Sequence, residues 1–462
     1  MDAVLLSRLQ MAFTLSYHIL FPTLTIGLAW FLVWLEARWL RRRRPELLTL
    51  YRFWSKIFAL SFGMGVVSGV VLSYEFGTNF GPFSAITGNV IGPLMSYEVL
   101  SAFFLEAGFL GVMLFGQNRV PPWLHFFATL MVAVGTLMSA FWILAANSWM
   151  QTPAGTELVD GRFVVSDWWA VIFNPSFPYR FSHMLVASFL TTAFVVLGVS
   201  AWQWRRNRAD REHGAGSAIK MALAMALVMA PLQILLGDLH GLQVKREQPI
   251  KVAAMEGVWE TGRGAPLLLF ALPDMQAERN HYEIGIPKLA SWILTHDPDG
   301  EIVGLKSVPK TDRPNVPLVF WSFRVMVACG LVMLLMAAWG AWRWWRGRVL
   351  QEGLWLRTLP WLIPTGFVAT LAGWWVAEVG RQPWLVYGLL RTADGASPLP
   401  AERIAESLLL FVVVYALLLS LYLFYVRRVV HSGLTAVAAQ PLTPVLPRST
   451  AISVDEPTGQ QE

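Results

Sequence analysis

The 462-residue sequence contains one cysteine and few charged residues, and each shortage excludes a class of protein. Cys329 lies inside an apolar run and has no second cysteine, so the chain cannot form an internal disulfide bond. Charged residues make up 14% of the chain, whereas soluble proteins average about 25%. No internal repeat is visible, which disfavours the transporter folds that are built from inverted repeats.

The sequence contains many long apolar runs, and 55% of its residues are hydrophobic. A run of about 20 apolar residues is long enough to cross a bilayer as an α-helix. The sequence therefore predicts an all-α, polytopic membrane protein with about nine transmembrane helices, at residues 10–37, 53–76, 93–116, 122–149, 178–203, 217–240, 317–342, 357–378 and 404–426.

Arginine is concentrated in short segments that alternate with nearly uncharged ones. Arginines follow the first, third, fifth, seventh and ninth predicted spans, whereas the segment 77–92 after the second span carries no charge. Basic residues near membrane helices remain on the cytoplasmic side. The pattern predicts an N-terminus outside and a C-terminus in the cytoplasm, and it accounts for the net charge of +6 without a nucleic-acid partner.

Two segments fall outside the predicted spans. Residues 241–316 form a long loop on the outer side, and apolar stretches such as APLLLFALP predict that this loop is folded. The last segment, 431–462, is rich in proline, serine and threonine, which predicts a disordered cytoplasmic tail. Residues 1–430 then form the transmembrane domain.

The stretch GWWVAEVGRQPW, at 373–384, places Glu378 at the end of an apolar run. A carboxylate is expensive to bury there, so it needs a partner or a function. One interpretation is an ion pair with Arg381 at the lipid headgroups. The other is a functional carboxylate, and the depth of other unusual residues favours it.

Potential iron ligands, acids and an arginine are predicted to share one layer near the outer face: His18, Glu98, His183, Arg324, Met326 and Glu378. Histidine and methionine are iron ligands, and a His/Met pair is typical of a six-coordinate electron-transfer haem. Arg8, Arg324 and Arg381 share the layer and could bind haem propionates. The alternatives are histidines that hydrogen-bond between helices and a methionine that fills the core.

Glu106 is predicted to lie deeper, near the centre of the bilayer. It follows Glu98 by eight residues, which places the two carboxyl groups about 80° apart around an ideal helix and about 12 Å apart along it. A carboxyl group at this depth is a candidate proton relay, and Ser139 on the neighbouring span could extend the path. The alternative is a neutral glutamate that is hydrogen-bonded to a neighbouring helix.

Motifs that cover nearly all of the chain to about residue 430 occur in the order that one family shares. They are SRLQMAFTLSYHILF, GTNFGPF, YEVLSAFFLEAGFLG, FSH at 181–183, KVAAMEGVWET, FRVMVACG and GWWVAEVGRQPW. On these motifs the sequence resembles subunit I of a cytochrome bd-type quinol oxidase. GRQPW together with KVAAMEGVWET is the most specific part of the resemblance.

The resemblance implies three haems and their ligands. His183 and Met326 match the axial ligands of a low-spin haem b. His18 and Glu378 match the ligands of a high-spin pair, in an order that stays open. The outer loop, residues 241–316, lacks the C-terminal insert of the family's long-loop members, so it resembles the short-loop branch that includes cyanide-insensitive oxidases. The pair is therefore a high-spin haem b with either a haem d or a further b-type haem.

The resemblance also implies roles for the remaining candidates. Glu98 matches an acid beside the high-spin pair, and Glu106 matches a residue of the proton path. Lys251 and Glu256 match residues implicated in quinol oxidation, which makes 241–316 the quinol-binding loop, or Q loop. Three further residues match those that surround the haems: Arg324, Trp374 and Arg381.

The activity implied is that of a terminal oxidase in the bacterial inner membrane. Quinol would be oxidised at the outer face and O2 reduced to water with cytoplasmic protons, which builds a proton motive force without pumping. The implied partners are a second large membrane subunit and, as additional members, small single-span subunits. Two rivals are a channel or transporter without haem and a haem subunit that only passes electrons to a partner.

Overall fold

Most of the chain is α-helix in this computed structural model, which describes residues 2–439. The helices are α1 (Ala3–Arg42), α2 (Pro45–Thr78), α3 (Gly81–Glu98), α4 (Phe104–Phe115), α5 (Pro122–Gln151), α6 (Trp168–Ile172), α7 (Phe177–Arg206), α8 (Arg208–Asp210), α9 (Gly216–Glu247), α10 (Pro249–Glu256), α11 (Leu289–Thr295), α12 (Val316–Trp345), α13 (Leu354–Thr358), α14 (Thr365–Val379), α15 (Thr392–Gly395) and α16 (Ala401–Ala438). π-Helical turns join α3 to α4 and α8 to α9, at Val99–Phe103 and Arg211–Ala215.

Short strands and 3₁₀ turns fill the connections between the long helices. In the described part of the chain the strands are β1 (Thr156–Val159), β2 (Arg162–Val165), β3 (Gly262–Arg263), β4 (Leu267–Asp274), β5 (Arg279–Ile286), β6 (Glu301–Ile302), β7 (Trp384–Val386) and β8 (Leu390–Arg391). They form four antiparallel pairs, β1 with β2, β3 with β6, β4 with β5 and β7 with β8. The 3₁₀ turns are Leu305–Ser307, Lys310–Asp312 and Leu359–Leu362.

Eight helical segments within residues 2–439 are long and apolar enough to cross a membrane. A ninth span is broken, because Leu354–Leu362 and Thr365–Val379 meet at an angle of 42°. Pro360 and Pro364 lie at this break, and proline removes a helical hydrogen bond and bends the chain. The predicted all-α polytopic fold with about nine spans is confirmed.

The third span differs from its predicted bounds. The chain turns at Asn79–Phe80, and α3 begins at Gly81 rather than at residue 93. Residues 81–92 are therefore helix and not loop, because proline at the first turn of a helix is favourable and Pro82 occupies that position. Glu98 consequently ends a helix of 18 residues, whereas the sequence analysis placed it near the start of its span.

The first and seventh helices form the centre of the bundle. Leu28, Leu32 and Leu35 of α1 are completely buried, and Phe194 of α7 lies in the same core cluster. By contrast, α16 is peripheral, since only 6% of its most apolar stretch is buried. Its apolar side chains face outward, as expected for contact with lipid or with another membrane subunit.

The connections between helices lie at two opposite ends of the bundle. At one end, the α1–α2 turn meets the start of α9, where Ser217 donates a hydrogen bond of 3.1 Å to Glu46. Arg205 and Glu352 pair at 3.4 Å at that same end. We call it the arginine end, because the arginine-rich turns that follow α1, α7 and α12 lie there.

At the opposite end, which we call the loop end, residues 248–315 form a folded segment between α9 and α12. Gln248 Nε2 donates to the carbonyl of Gln151 at 2.6 Å, so the segment is attached to the end of α5. Val252, Trp259 and Leu305 are buried in its own apolar core. The loop begins later than the predicted residue 241, because α9 continues to Glu247.

The end of α16 also differs from the prediction. The helix continues to Ala438, with a break in helical geometry at Gly433, so a disordered tail does not begin at residue 431. Asp210 accepts hydrogen bonds from the amide and the hydroxyl of Thr435, at 3.0 and 2.9 Å, and holds this turn in place. The remainder of the predicted tail, 440–462, lies outside the described residues.

Candidate functional site

Helix α5 contacts most of the predicted acids and sets their order along the bundle. Gly135 lies against the side chain of Glu106, and Ser139 donates a hydrogen bond of 2.7 Å to Glu98. Two turns further on, Asn147 Nδ2 donates to Glu378 at 3.1 Å. Ser139 and Asn147 are about 12 Å apart along the helix axis. Glu98 therefore lies deeper than Glu378, and the single layer expected from the sequence is wrong for Glu98.

The π-helical turn Val99–Phe103 changes the relation between the two acids on either side of it. In such a turn the hydrogen bonds run from residue i to i+5, so each residue rotates the chain less than in an α-helix. Glu98 and Glu106 consequently face the same partner helix, α5, at Ser139 and Gly135. The turn therefore reduces the offset between the two acids below the value of about 80° expected from an ideal helix.

Glu378 is surrounded by an excess of positive charge. Its carboxylate accepts a hydrogen bond from Arg381 and lies 3.9 Å from Arg180. Gln151 Nε2 donates to the same carboxylate at 3.2 Å, and Gln151 Oε1 accepts from Lys251 Nζ at 2.7 Å. We call these five residues, with Asn147, the Glu378 cluster. Two arginines contact one carboxylate in it, and Gln151 connects Lys251 to the same carboxylate.

The basic side chains of this cluster are more deeply buried than the carboxylate. Arg180, Lys251 and Arg381 are 3–7% exposed, whereas the side chain of Glu378 keeps 20% exposure. The headgroup ion pair considered for Glu378 and Arg381 does form, but in the interior of the protein. Buried charges of one sign without matching counter-charges are strongly unfavourable, so the cluster is suited to a further anionic group.

Unpartnered donors in the cluster support the same conclusion. Among the described residues, the Nε and Nη1 atoms of Arg381 and the Nε atom of Arg180 are buried without a hydrogen-bond acceptor. Leaving a buried donor without an acceptor costs about 1–3 kcal/mol, and more when the group is charged. A ligand with carboxylates, such as the propionates of a haem, would supply acceptors to these atoms.

Three of the predicted iron ligands, His18, His183 and Met326, each lie against a glycine on another helix. A Cβ atom added to Gly373 would lie 2.9 Å from the Met326 sulfur. The corresponding distance to Cε1 is 3.3 Å for Gly237 and His183, and 3.1 Å for Gly69 and His18. Glycine at these positions lets the three side chains pack directly against a neighbouring helix, where a larger residue would collide with them. Their donor atoms are of the types that ligate haem iron.

His183 and Met326 are linked through α14. Met326 lies against Gly373, and the next residue, Trp374, has the guanidinium of Arg180 5.8 Å from its ring centre. Arg180 is one turn before His183 on α7. The imidazole of His183 has one weak polar partner, Gln233, at 3.2 Å from Nε2.

His18 lies on the other side of the bundle, about four turns into α1. Its Nδ1 atom is 2.9 Å from the hydroxyl of Ser68, and a hydrogen bond to one ring nitrogen orients the other toward a metal. Ser16, nearby on α1, accepts from Trp375 of α14 at 3.0 Å, which connects this region to the helix of Glu378. Arg8 makes no hydrogen bond or ion pair with residues 2–439.

The two candidate quinol residues on α10 have different partners. Lys251 reaches Gln151 in the Glu378 cluster, whereas Glu256 pairs with Arg324 of α12 at 3.0 Å. Burial lowers the pKa of Lys251 well below its usual range, and Arg180 adds to the effect. Burial also raises the pKa of Glu256, and the charge of Arg324 opposes that shift.

Arg324 connects α12 to the loop segment rather than to the Glu378 cluster. Its guanidinium donates to the carbonyl of Leu268 from Nε and Nη2, at 2.9 and 2.7 Å, and to the carbonyl of Met255. The cation also lies over the ring of Phe320, 3.8 Å from its centre. Together with Glu256, these contacts occupy all three nitrogens of the guanidinium group.

Sequence reasoning missed several polar residues of the site. Arg180 precedes His183 by three residues in the motif FPYRFSH, and that spacing on a helix would have indicated a shared face. Gln151 is the last residue of α5, and a polar residue at a helix end is a weaker signal. Glu75 is also buried, accepts a hydrogen bond of 2.8 Å from Thr14 and has one carboxyl oxygen without a partner in the described chain.

The fold and this site together define a class of protein. A polytopic helical bundle that holds His and Met side chains beside glycines, and a cation-rich pocket near them, is typical of a haem-bearing membrane protein. The sequence matches the family Cytochrome bd terminal oxidase subunit I over residues 6–434. The chain belongs to this family, and it is therefore a subunit of a haem-containing terminal oxidase.

Two bacterial relatives share nearly the whole length of the chain. Cytochrome bd ubiquinol oxidase subunit 1 of Bacillus subtilis (strain 168) is 34% identical, and the match covers 94% of each protein. Cytochrome bd-II ubiquinol oxidase subunit 1 of Escherichia coli (strain K12) is 31% identical, with 96% of this chain and 99% of that protein covered.

A solved structure has the same fold. The bd oxidase from Geobacillus thermodenitrificans matches with a TM-score of 0.85 and 30% sequence identity. The match covers 93% of this chain and 98% of the other.

The contacts of Arg324 generate a first prediction. Arg324→Lys should loosen the loop segment, because lysine cannot donate to Leu268, Met255 and Glu256 together. One hydrogen bond to a charged group contributes about 1.5–3 kcal/mol, so amide hydrogen exchange in β4 should accelerate about ten-fold or more. Hydrogen exchange with mass spectrometry measures this in the detergent-solubilised oxidase.

The exposed Arg263 of β3 provides the matched control, and Arg263→Lys should leave exchange in β4 unchanged. Haem absorption bands should be the same in both variants. Altered bands in Arg324→Lys with normal exchange in β4 would contradict the assignment of Arg324 to the loop and favour the expected contact with haem.

Proposed function

We propose that this chain oxidises a membrane quinol at the loop end and transfers the electrons to O2, which is reduced to water. The observation that carries the proposal is the Glu378 cluster, because it joins Lys251 of the loop segment to the candidate ligand Glu378 through one side chain, Gln151. The names of the relatives, ubiquinol oxidases of two bacteria, support quinol as the electron donor.

The orientation in the membrane follows from the distribution of arginine. The arginine end faces the cytoplasm, since basic turns remain on that side. The N-terminus and the loop end then face the outside of the bacterial inner membrane. Protons released from quinol leave on the outer side, and protons for water enter from the cytoplasm. This arrangement separates charge across the membrane without a pump.

Four side chains hold the haem irons in this proposal. His183 and Met326 would ligate a low-spin haem b, and Gly237 and Gly373 allow these two side chains to pack closely against their partner helices. His18 and Glu378 ligate a high-spin pair, a haem b with a haem d or a second b-type haem. When bound, these groups carry the electrons and bind O2. The free donors of Arg180 and Arg381 bind haem propionates, and Trp374 lines the same pocket.

Lys251 and Glu256 act on the quinol. Burial lowers the pKa of Lys251, and an amine of lowered pKa can accept a proton from a hydroxyl group near neutral pH. Glu256 is held by Arg324, which also fixes the loop. Two quinols supply the four electrons that convert one O2 to two waters, and each quinol releases two protons.

Glu106, Ser139 and Glu98 carry protons toward the site of O2 reduction. The shared orientation of both acids toward α5 supports this role, because the π-helical turn gives them a common face. Ser139 already donates to Glu98, and its hydroxyl can both accept and donate a proton. Glu106 lies one helical turn further toward the arginine end.

A second large membrane subunit is the expected partner, because the relatives are each described as subunit 1 of an oxidase. The outer helices offer apolar area for it. On α16, for example, Leu409 and Leu417 are 65% and 59% exposed. Small single-span subunits would use the same kind of surface.

The assignment of Met326 gives a second prediction. Met326→Leu removes the sulfur ligand without a large change in volume, so the low-spin haem should become high-spin. The dithionite-reduced absorption spectrum of the purified oxidase measures the change. Met333→Leu, on the same helix in the apolar core, is the control and should leave the spectrum unchanged. A low-spin band that survives in Met326→Leu would refute the ligation.

The role of Glu106 gives a third prediction. Glu106→Gln keeps the shape of the side chain but removes its ability to release a proton at working pH. Quinol-driven O2 consumption should fall by about 10²-fold or more, the range found for lost proton-transfer groups, while the haem bands remain normal. Turnover equal to that of the unaltered enzyme would exclude Glu106 from the proton path.

A further inference from the structure

A second buried group of titratable side chains lies near the arginine end, remote from the Glu378 cluster. It consists of Glu36 on α1, Tyr51 on α2 and His125 and Thr129 on α5, and each of the four is at most 2% exposed. His125 belongs to the first turn of α5, where its amide donates to the carbonyl of Pro121. Only the turn 116–121 separates it from the end of α4.

The hydrogen bonds of this group fix most of its protons. His125 Nε2 lies 3.1 Å from the carbonyl oxygen of Met113, so Nε2 must donate. Thr129 donates to Glu36 Oε2 at 2.6 Å, and the phenol of Tyr51 therefore donates to Thr129 at 2.8 Å. The remaining contact, His125 Nδ1 to Glu36 Oε1 at 2.5 Å, has one proton between two acceptors.

That contact can exist in two forms. The proton lies either on Nδ1, as an imidazolium beside a carboxylate, or on Oε1, as a carboxyl group beside a neutral imidazole. A proton that is added or removed here changes the charge of a buried pair. The titratable groups that face the pair are Glu36 and His125 themselves and Tyr51 of α2, while α4 contributes the Met113 carbonyl.

A polar stripe on α5 leads from this pair to the predicted proton path. At 100° per residue, His125, Thr129, Thr136 and Ser139 fall within about 80° of one another around the helix. Ser139 is the residue that donates to Glu98. Glu106 lies against Gly135, which is about 9 Å along α5 from Thr129.

Helix α4 contributes to the same interface. Met113, whose carbonyl binds His125, follows Glu106 by two helical turns on α4. Residues two turns apart share a helix face, so Glu106 and the Met113 carbonyl both face α5. The Glu36–His125 pair and Glu106 therefore lie at different depths along the contact between α4 and α5.

We propose that Glu36 and His125 form the site at which protons from the cytoplasm are loaded before they reach Glu106. The inference rests on the proposed function, in which the arginine end faces the cytoplasm. A proton enters beside the turn 116–121, is held between Oε1 and Nδ1, and moves along Thr129. Water and rotation of the Glu106 side chain span the remaining distance, and one proton leaves the pair for each that enters.

A purely structural role is the competing explanation, because the four side chains also connect α1, α2 and α5. The Glu36→Gln variant distinguishes the structural role from the proposed proton-loading role. The amide can still donate to Nδ1 and accept from Thr129, so the connection is preserved, but glutamine cannot release the proton. Tyr51→Phe is the matched control, since it removes a buried hydrogen bond from the same group without interrupting the proposed route.

In the complete oxidase, Glu36→Gln should lower quinol-driven turnover at least ten-fold, with KM for quinol and the haem bands unchanged. Proton uptake after O2 is mixed with the reduced enzyme should slow by a similar factor. Glu36→Asp should restore part of the rate, and Tyr51→Phe should behave as the unaltered enzyme. If Glu36→Gln fails to assemble, Thr129→Val should show the same slow uptake.

Normal turnover and normal proton uptake in Glu36→Gln, or in Thr129→Val if that variant is needed, would overturn the proposal. If Glu106→Gln is slow in the same assay while Glu36→Gln is not, protons reach Glu106 by another route and the proposed function stands. If both variants turn over normally, the relay within the proposed function fails as well.

Discussion

The excess of buried positive charge around Glu378 is the constraint on which the rest of the structure depends. Arg180 and Arg381 come from different segments and share one carboxylate, to which Gln151 also connects Lys251. Two buried cations on one carboxylate favour additional negative charge. Haem propionates would supply that charge, and α5, α7, α14 and the loop segment all contribute to the cluster that would hold them.

Helix α5 fixes the order of the acids along the bundle. From the arginine end to the loop end it presents Thr129, Gly135, Ser139, Asn147 and Gln151 to buried acids on four other elements. In the proposed orientation this order runs from the cytoplasmic side to the outer side. The acids differ in their partners, since some have only hydroxyl or amide donors and Glu378 has arginines. These differences in environment support the proposed division of the acids into proton carriers and a metal ligand.

Much of this could be predicted from the sequence, for reasons that particular residues make clear. Glu378 and Arg381 are three residues apart, and their pairing follows from helix geometry alone.

The common face of Glu98 and Glu106 could not be predicted, because a π-helical turn has no composition signal that distinguishes it from α-helix. Arg324 was expected near haem because it shares the predicted outer layer and matches an arginine of the family, yet its contacts are with a loop whose fold depends on distant residues. The third span starts earlier than predicted because Pro82 favours the first turn of a helix, and a hydropathy profile does not detect this preference.

The central claim is that this bundle holds haem with an iron that O2 can reach. The most direct test is the dithionite-reduced absorption spectrum of the purified oxidase, recorded with and without carbon monoxide. The account predicts haem bands, part of which carbon monoxide shifts. A far-red band among them identifies haem d, and b-type bands alone identify its replacement. Haem bands that do not respond to carbon monoxide, or a colourless preparation with demonstrated retention of cofactors, would contradict the account.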